Sequence, residues 1–403
     1  MAEMAFTVNW PGRLTFGAGR LVALREEAPA LGRHAFLATT RDLSALGIAD
    51  RVAQLLADAG LAVTRYEDVL PDPTCLAVHE AATLAGAGGC DLVIGLGGGS
   101  AIDLAKGVAV AATHPGPVWD YVTYTGANAR PVTAATLPVI AIPTTAGTGS
   151  EVTNGAVLDN PDRHMKAALL SPYVYPRLAL VDPELTYTMP ARTTAMTGFD
   201  ALTHGIEAYL NATRRNPVAD LFALETVRQV ACYLPCVLAD GQDQEARAHM
   251  SWAAALGGMS IALSNASVAH AMALPLGARL GTPHGLALSR LQPVVVAHSW
   301  QAQPERCAAL ADAAGASQPG MADDEKAQVL GSWLKAFVHR IGLAALWTDQ
   351  EVGAIPLRSP VDAPLLDLLT DDVFAYMGRP IQQYLPVFGR EEMRQMFTEA
   401  LLG

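Results

Sequence analysis

The chain has no excess of basic charge: 27 lysines and arginines stand against 39 aspartates and glutamates, for a formal charge of −12. No stripe of cations is offered to phosphates, which argues against a nucleic-acid partner. The adjacent pair Arg214–Arg215 reads as the cap of a helix end. Cysteine is scarce, odd in number and without a Cys-x-x-Cys pair (Cys75, Cys90, Cys232, Cys236, Cys307). Neither a disulfide framework nor a zinc knuckle is expected; Cys232 and Cys236, beside Pro235 in an apolar stretch, read as buried free thiols. No uninterrupted apolar run reaches membrane-spanning length, and residues 1–11 lack a basic segment followed by an apolar one. The expectation is a cytoplasmic protein with no membrane partner. Repeats and low-complexity linkers are also missing. Charged residues are only 16% of the 403, against 51% hydrophobic, a composition without bias toward disorder and long enough for two domains.

The first half alternates short β-branched or apolar runs with helical ones. Strands are predicted at 35–39, 62–68, 91–96, 139–143 and 178–181, with helices at 48–59, 76–88 and 101–112. Alternation at this pitch means a doubly wound parallel sheet with helices on both faces. Beyond Met189 the β-signals fade. Long Ala/Leu-rich helices are predicted at 192–209, 218–238, 244–264, 286–298, 324–341 and 390–402. The reading is an α/β nucleotide-binding domain over 1–188 and an all-helical domain over 189–403, with a ligand cleft between them.

Two stretches with helical spacing carry metal chemistry. In Gly198-Phe199-Asp200-Ala201-Leu202-Thr203-His204, the aspartate and histidine are four apart and share one helix face. His270 and His284 follow in an Ala/Leu/Met-rich setting. One carboxylate and three imidazoles suit Fe²⁺, Zn²⁺, Co²⁺ or Mn²⁺ and do not suit Ca²⁺. The competing reading is a surface helix pair with two satisfied core histidines.

A second motif is Gly95-Leu96-Gly97-Gly98-Gly99-Ser100, where a strand runs into three glycines and then a helix. Bare backbone N–H groups at a helix start suit a pyrophosphate. The spacing is neither a Rossmann Gly-x-Gly-x-x-Gly nor a P-loop. The third motif, Pro143-Thr144-Thr145-Ala146-Gly147-Thr148-Gly149-Ser150-Glu151-Val152-Thr153, ends another strand with small donors that fit a nucleotide across the carboxyl ends of parallel strands.

Together these stretches resemble the iron-dependent (group III) alcohol dehydrogenase family. The likeness runs from Pro11–Gly19 through GGGSAIDLAK (Gly97 to Lys106), PTTAGTGSEVT (Pro143 to Thr153) and Leu180–Pro183 to GFDALTHGIEAY and HAMALPLG…TPHG. It implies a dehydroquinate synthase-like fold, with an N-terminal α/β domain that binds NAD(P) and a helical domain that holds Fe²⁺ or Zn²⁺. It implies Asp200, His204, His270 and His284 as metal ligands, catalytic through the metal. Gly97, Gly98, Gly99 and Ser100 would surround the pyrophosphate, and Thr144, Thr145 and Thr148 would lie along the nucleotide, with Asp103 and Lys166 nearby. The expected activity is hydride transfer between NAD(P)(H) and a small alcohol or aldehyde, in a homodimer or larger homo-oligomer. Ile261 and Phe374 are the candidates for shaping a small substrate pocket. Alternatives are a metal-independent reductase resembling maleylacetate reductases, and a non-catalytic nucleotide-binding scaffold.

Two positions depart from the family pattern. Close relatives carry a histidine four residues after the third ligand; here it is Leu274, which leaves the proton to travel through water or the cofactor ribose. NAD-preferring members carry an aspartate after the first strand of the nucleotide-binding unit; here Thr40–Arg41 stands there, which admits a 2′-phosphate and so NADP(H). A solvated loop charge is the competing reading of Arg41.

Overall fold

The computed structural model describes residues 6–8, 12–124, 126–347, 351–352, 355–356 and 361–403. Pro11, the first residue of the family-like segments, lies outside them, as does most of the N-terminal stretch weighed above as a leader. The strands of the first half are β1 (Arg13–Phe16), β2 (His34–Ala38), β3 (Ala62–Tyr66), β4 (Leu92–Gly97), β5 (Val122–Thr123), β6 (Val139–Pro143), β7 (Gly155–Asn160), β8 (Met165–Leu170) and β9 (Leu178–Val181). Among them run α1 (Leu24–Glu27), α2 (Arg41–Ala45), α3 (Ile48–Asp58), α4 (Cys75–Gly88) and α5 (Gly99–Ala111). The second half holds α6 (Ala191–Leu210), α7 (Pro217–Ala239), α8 (Gln244–Leu263), α9 (Val268–Leu280), α10 (His284–Ser299), α11 (Pro304–Ala314) and α12 (Asp323–Arg340). After them come β10 (Glu351–Val352), β11 (Ile355–Pro356), α13 (Ala363–Tyr376), α14 (Gly378–Ile381) and α15 (Arg390–Leu402).

Six strands form a parallel sheet in the order β1-β9-β6-β4-β2-β3. Both faces are covered, and the side-chain alternation shows how. Ala35, Leu37, Leu92, Ile94, Leu96, Ile140 and Ile142 enter one buried cluster, while Phe36, Ala38, Val93 and Val139 enter the other. Because both faces are apolar, the strands read as unbroken hydrophobic runs. From β2 the chain moves outward to β3; from β4 it moves the other way to β6. The sheet therefore switches direction between β2 and β4, and the glycine turn and Thr40 both lie at the carboxyl ends there, the usual ligand crevice of such a sheet.

The first half also contains an antiparallel sheet, β5-β8-β7, which the sequence reading did not anticipate. The second half is not purely helical among the described residues: β10 and β11 pair antiparallel. The thiols are corrected as well: Cys232 and Cys236 are exposed, because they lie on the outward face of α7, whose buried positions include Val230, Leu234 and Val237. Among the described residues α7 is the single helix long and apolar enough to cross a membrane; here it packs against α6, α8 and α11.

Lys106 is fully buried on α5 and ties the small sheet to the large one. Its ammonium lies 2.7, 3.0 and 2.6 Å from the carbonyl oxygens of Ser150, Thr153 and Gly155, with the hydroxyls of Ser150 and Thr153 at 3.0 and 3.2 Å. Burial pushes its pKa down to about 8, against the pull of Asp103 and Glu151. Replacing Lys106 with Met strips three carbonyls of this donor, with an expected loss of about 3–5 kcal/mol, the range for breaking a buried charged contact. Denaturant unfolding of Lys106→Met against the parent chain checks this.

Candidate functional site

Helix α6 supplies Asp200, His204 and Glu207 at positions i, i+4 and i+7, one stripe of one face. The helix is buried nearly all round from Gly198 to Leu210, and glycines let its neighbours close in. A Cβ on Gly198 would stand 2.6 Å from the Leu234 side chain, and one on Gly205 would stand 2.8 Å from the Ala223 carbonyl oxygen. His270 lies in the first turn of α9, and His284 is the first residue of α10. A Cβ on Gly285 would stand 2.1 Å from the Met196 carbonyl oxygen, so the start of α10 is pressed against α6 one turn before Asp200.

The four residues meet. The Nε2 atoms of His204, His270 and His284 lie 3.5, 3.4 and 3.7 Å from Asp200 Oδ1. Asp200, His270 and His284 offer atoms all within 4.8 Å of one another. His204 stands to one side of that trio and stacks on His270, ring centroids 4.7 Å apart. Asp200 and His204 are buried, His270 is nearly so, and the His284 side chain is 35% exposed, so the cluster opens to solvent on that side.

A buried carboxylate needs donors. Asp200 Oδ1 and His270 Nε2 have no hydrogen-bond partner of proper geometry. Burial works against the charge on Asp200; the three imidazoles outweigh it and hold the carboxyl well below the usual carboxylate range. Burial pushes His204 down to about 4, opposed by Asp200 and reinforced by the other two rings. Burial lowers His284 in the same way. At His270 burial is outweighed by Glu207 and Asp200, and the ring is pushed up to about 9. Orphaned polar atoms and converging neutral-nitrogen and carboxylate donors fit a divalent cation of the iron or zinc type.

Glu207 escaped the sequence reading. It is fully buried and accepts from Ser267 N (2.7 Å), Ala269 N (2.5 Å) and His270 Nδ1 (2.7 Å). The signal was there, since 200, 204 and 207 continue one helical stripe.

The nucleotide motifs face each other. Gly97 takes φ +150°, a conformation that favours glycine, and Gly98 caps α5 without any side chain. Thr145 and Thr148 lie directly over Gly98 and Gly99, where a Cβ would meet them at 3.2 and 2.7 Å. Thr144 is buried, its N–H on the Gly97 carbonyl at 2.9 Å. The glycines of the third motif serve packing: a Cβ on Gly147 would stand 2.4 Å from Thr197 O, and one on Gly149 would stand 2.4 Å from Gly258 Cα. They hold α6 and α8 against the strand ends. Ser100 Oγ accepts from Asp72 N at 3.2 Å, and Asp72 pairs with Lys166 at 2.6 Å. The charges of Asp72 and Lys166 are both felt at His284.

Other expectations fare differently. Asp103 holds Ser150 Oγ at 2.5 Å and Val157 N at 2.9 Å, which ties its carboxylate into the framework beside Lys106. Thr40 caps α2 by accepting from Leu43 N, and Arg41 pairs with Asp68 at 2.5 Å on the surface. Ile261 and Phe374 are half-buried on α8 and α13. The hollow beside Lys166 and Leu274 is bordered instead by Pro275, Asp372, Tyr376 and Met377, because α9 and α13 pack together there and bring their own side chains to its wall.

Residues 11–183 match the model of the iron-containing alcohol dehydrogenases, and residues 194–370 match the C-terminal model of the Fe-containing alcohol dehydrogenase family. The chain is 36% identical to a choline dehydrogenase of Bacillus subtilis, over 87% of this chain and 86% of that one. It is 37% identical to long-chain-alcohol dehydrogenase 1 of Geobacillus thermodenitrificans, over 81% and 82%. A solved alcohol dehydrogenase from an archaeal halo-thermophile of a Red Sea brine pool superposes with a TM-score of 0.91 at 31% identity, covering 100% of both chains. The chain belongs to the iron-containing alcohol dehydrogenase family and is a metal-dependent alcohol dehydrogenase.

Proposed function

We propose that Asp200, His204, His270 and His284 hold the catalytic metal, and that the glycine turn at 97–100 with Thr144, Thr145 and Thr148 holds the nucleotide. The observation that carries the metal assignment is the convergence of three imidazole Nε2 atoms on one unpaired, buried carboxylate oxygen. Held there, a divalent ion would supply Lewis-acid polarisation of an alcohol or carbonyl oxygen, and a nicotinamide nucleotide held at the glycine turn would supply the hydride chemistry. The protein's share is orientation and exclusion of water. Leu274 has no titratable atom, so the proton would pass through water, which reaches the cluster on the open His284 side, or through the cofactor ribose. A metal-free reductase or a bare scaffold would have to keep Asp200 Oδ1 buried and unpaired, which disfavours both.

The family model supports iron over zinc. For the nucleotide, Arg41 is 80% exposed and bound only to exposed Asp68. Such a surface pair contributes about 0–1 kcal/mol, little enough for a 2′-phosphate to displace it.

His270→Ala and His284→Ala each lose most bound metal and activity while nucleotide binding stays largely intact. Metal analysis of anaerobically and aerobically purified protein, with cofactor titration beside it, checks this; full metal retention in both variants refutes the ligand set. The kcat/KM with NADPH is at least comparable to that with NADH. Thr40→Asp keeps the helix cap and adds a ribose acceptor that repels phosphate. It shifts preference toward NADH by about tenfold to a hundredfold, roughly 1.4–2.7 kcal/mol. Steady-state kinetics with both cofactors reads the shift; a strict NADH enzyme indifferent to Thr40→Asp refutes the placement.

A further inference from the structure

Helix α9 starts without a cap of its own. Ser267 stands at its N-cap position, makes no capping hydrogen bond, and its Oγ has no partner. The turn before it is irregular, with Asn265 at φ +113°. The missing acceptor comes from another helix: Glu207 of α6 takes the N–H groups of Ser267 and Ala269 on its two oxygens. The same carboxylate takes His270 Nδ1 at 2.7 Å.

We propose that Glu207 is a positioning residue for the metal centre. It fixes where α9 begins, and it holds the Nδ1–H tautomer of His270, which leaves the Nε2 lone pair directed at Asp200 and the cation. This inference rests on the metal-site reading above. Three donors on one carboxylate leave His270 Nδ1 a single sensible role, that of a proton-bearing donor. A carboxylate behind a ligating imidazole both sets the ring's direction and raises the basicity of the nitrogen in front. The chain thereby joins backbone capping and ligand orientation in one side chain, so the position of α9 and the direction of the ligand cannot vary separately.

The test uses the full chain stripped of metal and titrated with Co²⁺. Affinity is read by chelator competition and ligand geometry by the visible absorption of the bound ion. Glu207→Met nearly conserves volume and removes the oxygen that accepted both Ser267 N and the His270 Nδ1 proton. His270 is then free to take the other tautomer, with its proton on Nε2. Co²⁺ binding is expected to weaken roughly 10–100-fold, with a changed absorption spectrum, while Glu207→Asp, which keeps the charge, recovers part of both. A folded Glu207→Met protein with parental affinity and spectrum overturns the proposal. His270→Ala run alongside separates the two readings: if it also keeps Co²⁺, the metal site itself is misplaced. A readout on the unaltered protein covers variants that fail to fold. With Zn²⁺ bound, histidine-selective ¹⁵N NMR shows a proton on His270 Nδ1 if the proposal holds, and its absence there overturns it.

Discussion

A single buried carboxylate sets the terms for the whole second half of the molecule. Asp200 is 3% exposed, and its Oδ1 atom faces three imidazoles in place of backbone donors. An ionised group in such a place survives only if positive charge is delivered to it. Each ring beside it comes from a different part of the chain: the same helix, the start of α9, the start of α10. Those three helices must hold to within tenths of an ångström, and the packing around α6 reads as the means. Glycines 147, 198, 205 and 285 each stand where a methyl group would strike a neighbour. They are a condition of the cluster and cannot be put down to loose packing.

The nucleotide side obeys a different constraint. A parallel sheet that reverses its winding leaves a crevice at the carboxyl ends of β2 and β4, and the glycine turn opens there. Thr145 and Thr148 fill the space above Gly98 and Gly99, so bareness at these positions serves packing as well as ligand approach. Asp72, held by Ser100 at this turn, pairs with Lys166, and the charges of both are felt at His284.

Much of this was legible in the sequence, and the failures have physical causes. The five predicted strands and the long helices fell within a few residues of the observed ones, because strand and helix periods are local properties. The four metal-type residues were readable because helical spacing already puts Asp200 under His204. Glu207, in the same stripe, was passed over because an acidic residue on a helix is ordinarily solvated. Its burial is decided by the start of α9, some sixty residues away. The β7–β8 hairpin was missed although its pairing is local, because Met165-Lys166-Ala167-Ala168-Leu169-Leu170 is made of strong helix formers. Asp103, placed near the nucleotide by resemblance, also makes hydrogen bonds to Ser150 and Val157 that tie it to the framework. Which of Ile261, Phe374 and their neighbours share a hollow depends on inter-helix distances, which have no signature in a one-dimensional pattern.

The contacts at Gly147–Thr197 and Gly149–Gly258 share one property: main chain lies against main chain or a short branched stem, with hardly a rotatable side chain between. Such a seam has no rotamers to exchange and so behaves as a pivot rather than a cushion. If the two halves rock, points near the seam travel least and points far from it travel most. The metal-type cluster is close to that axis, on α6 and the start of α10. The sheet edge formed by β2 and β3 lies at the far end of the lever. A rocking motion would carry that edge furthest and leave the Asp200 cluster nearly where it is.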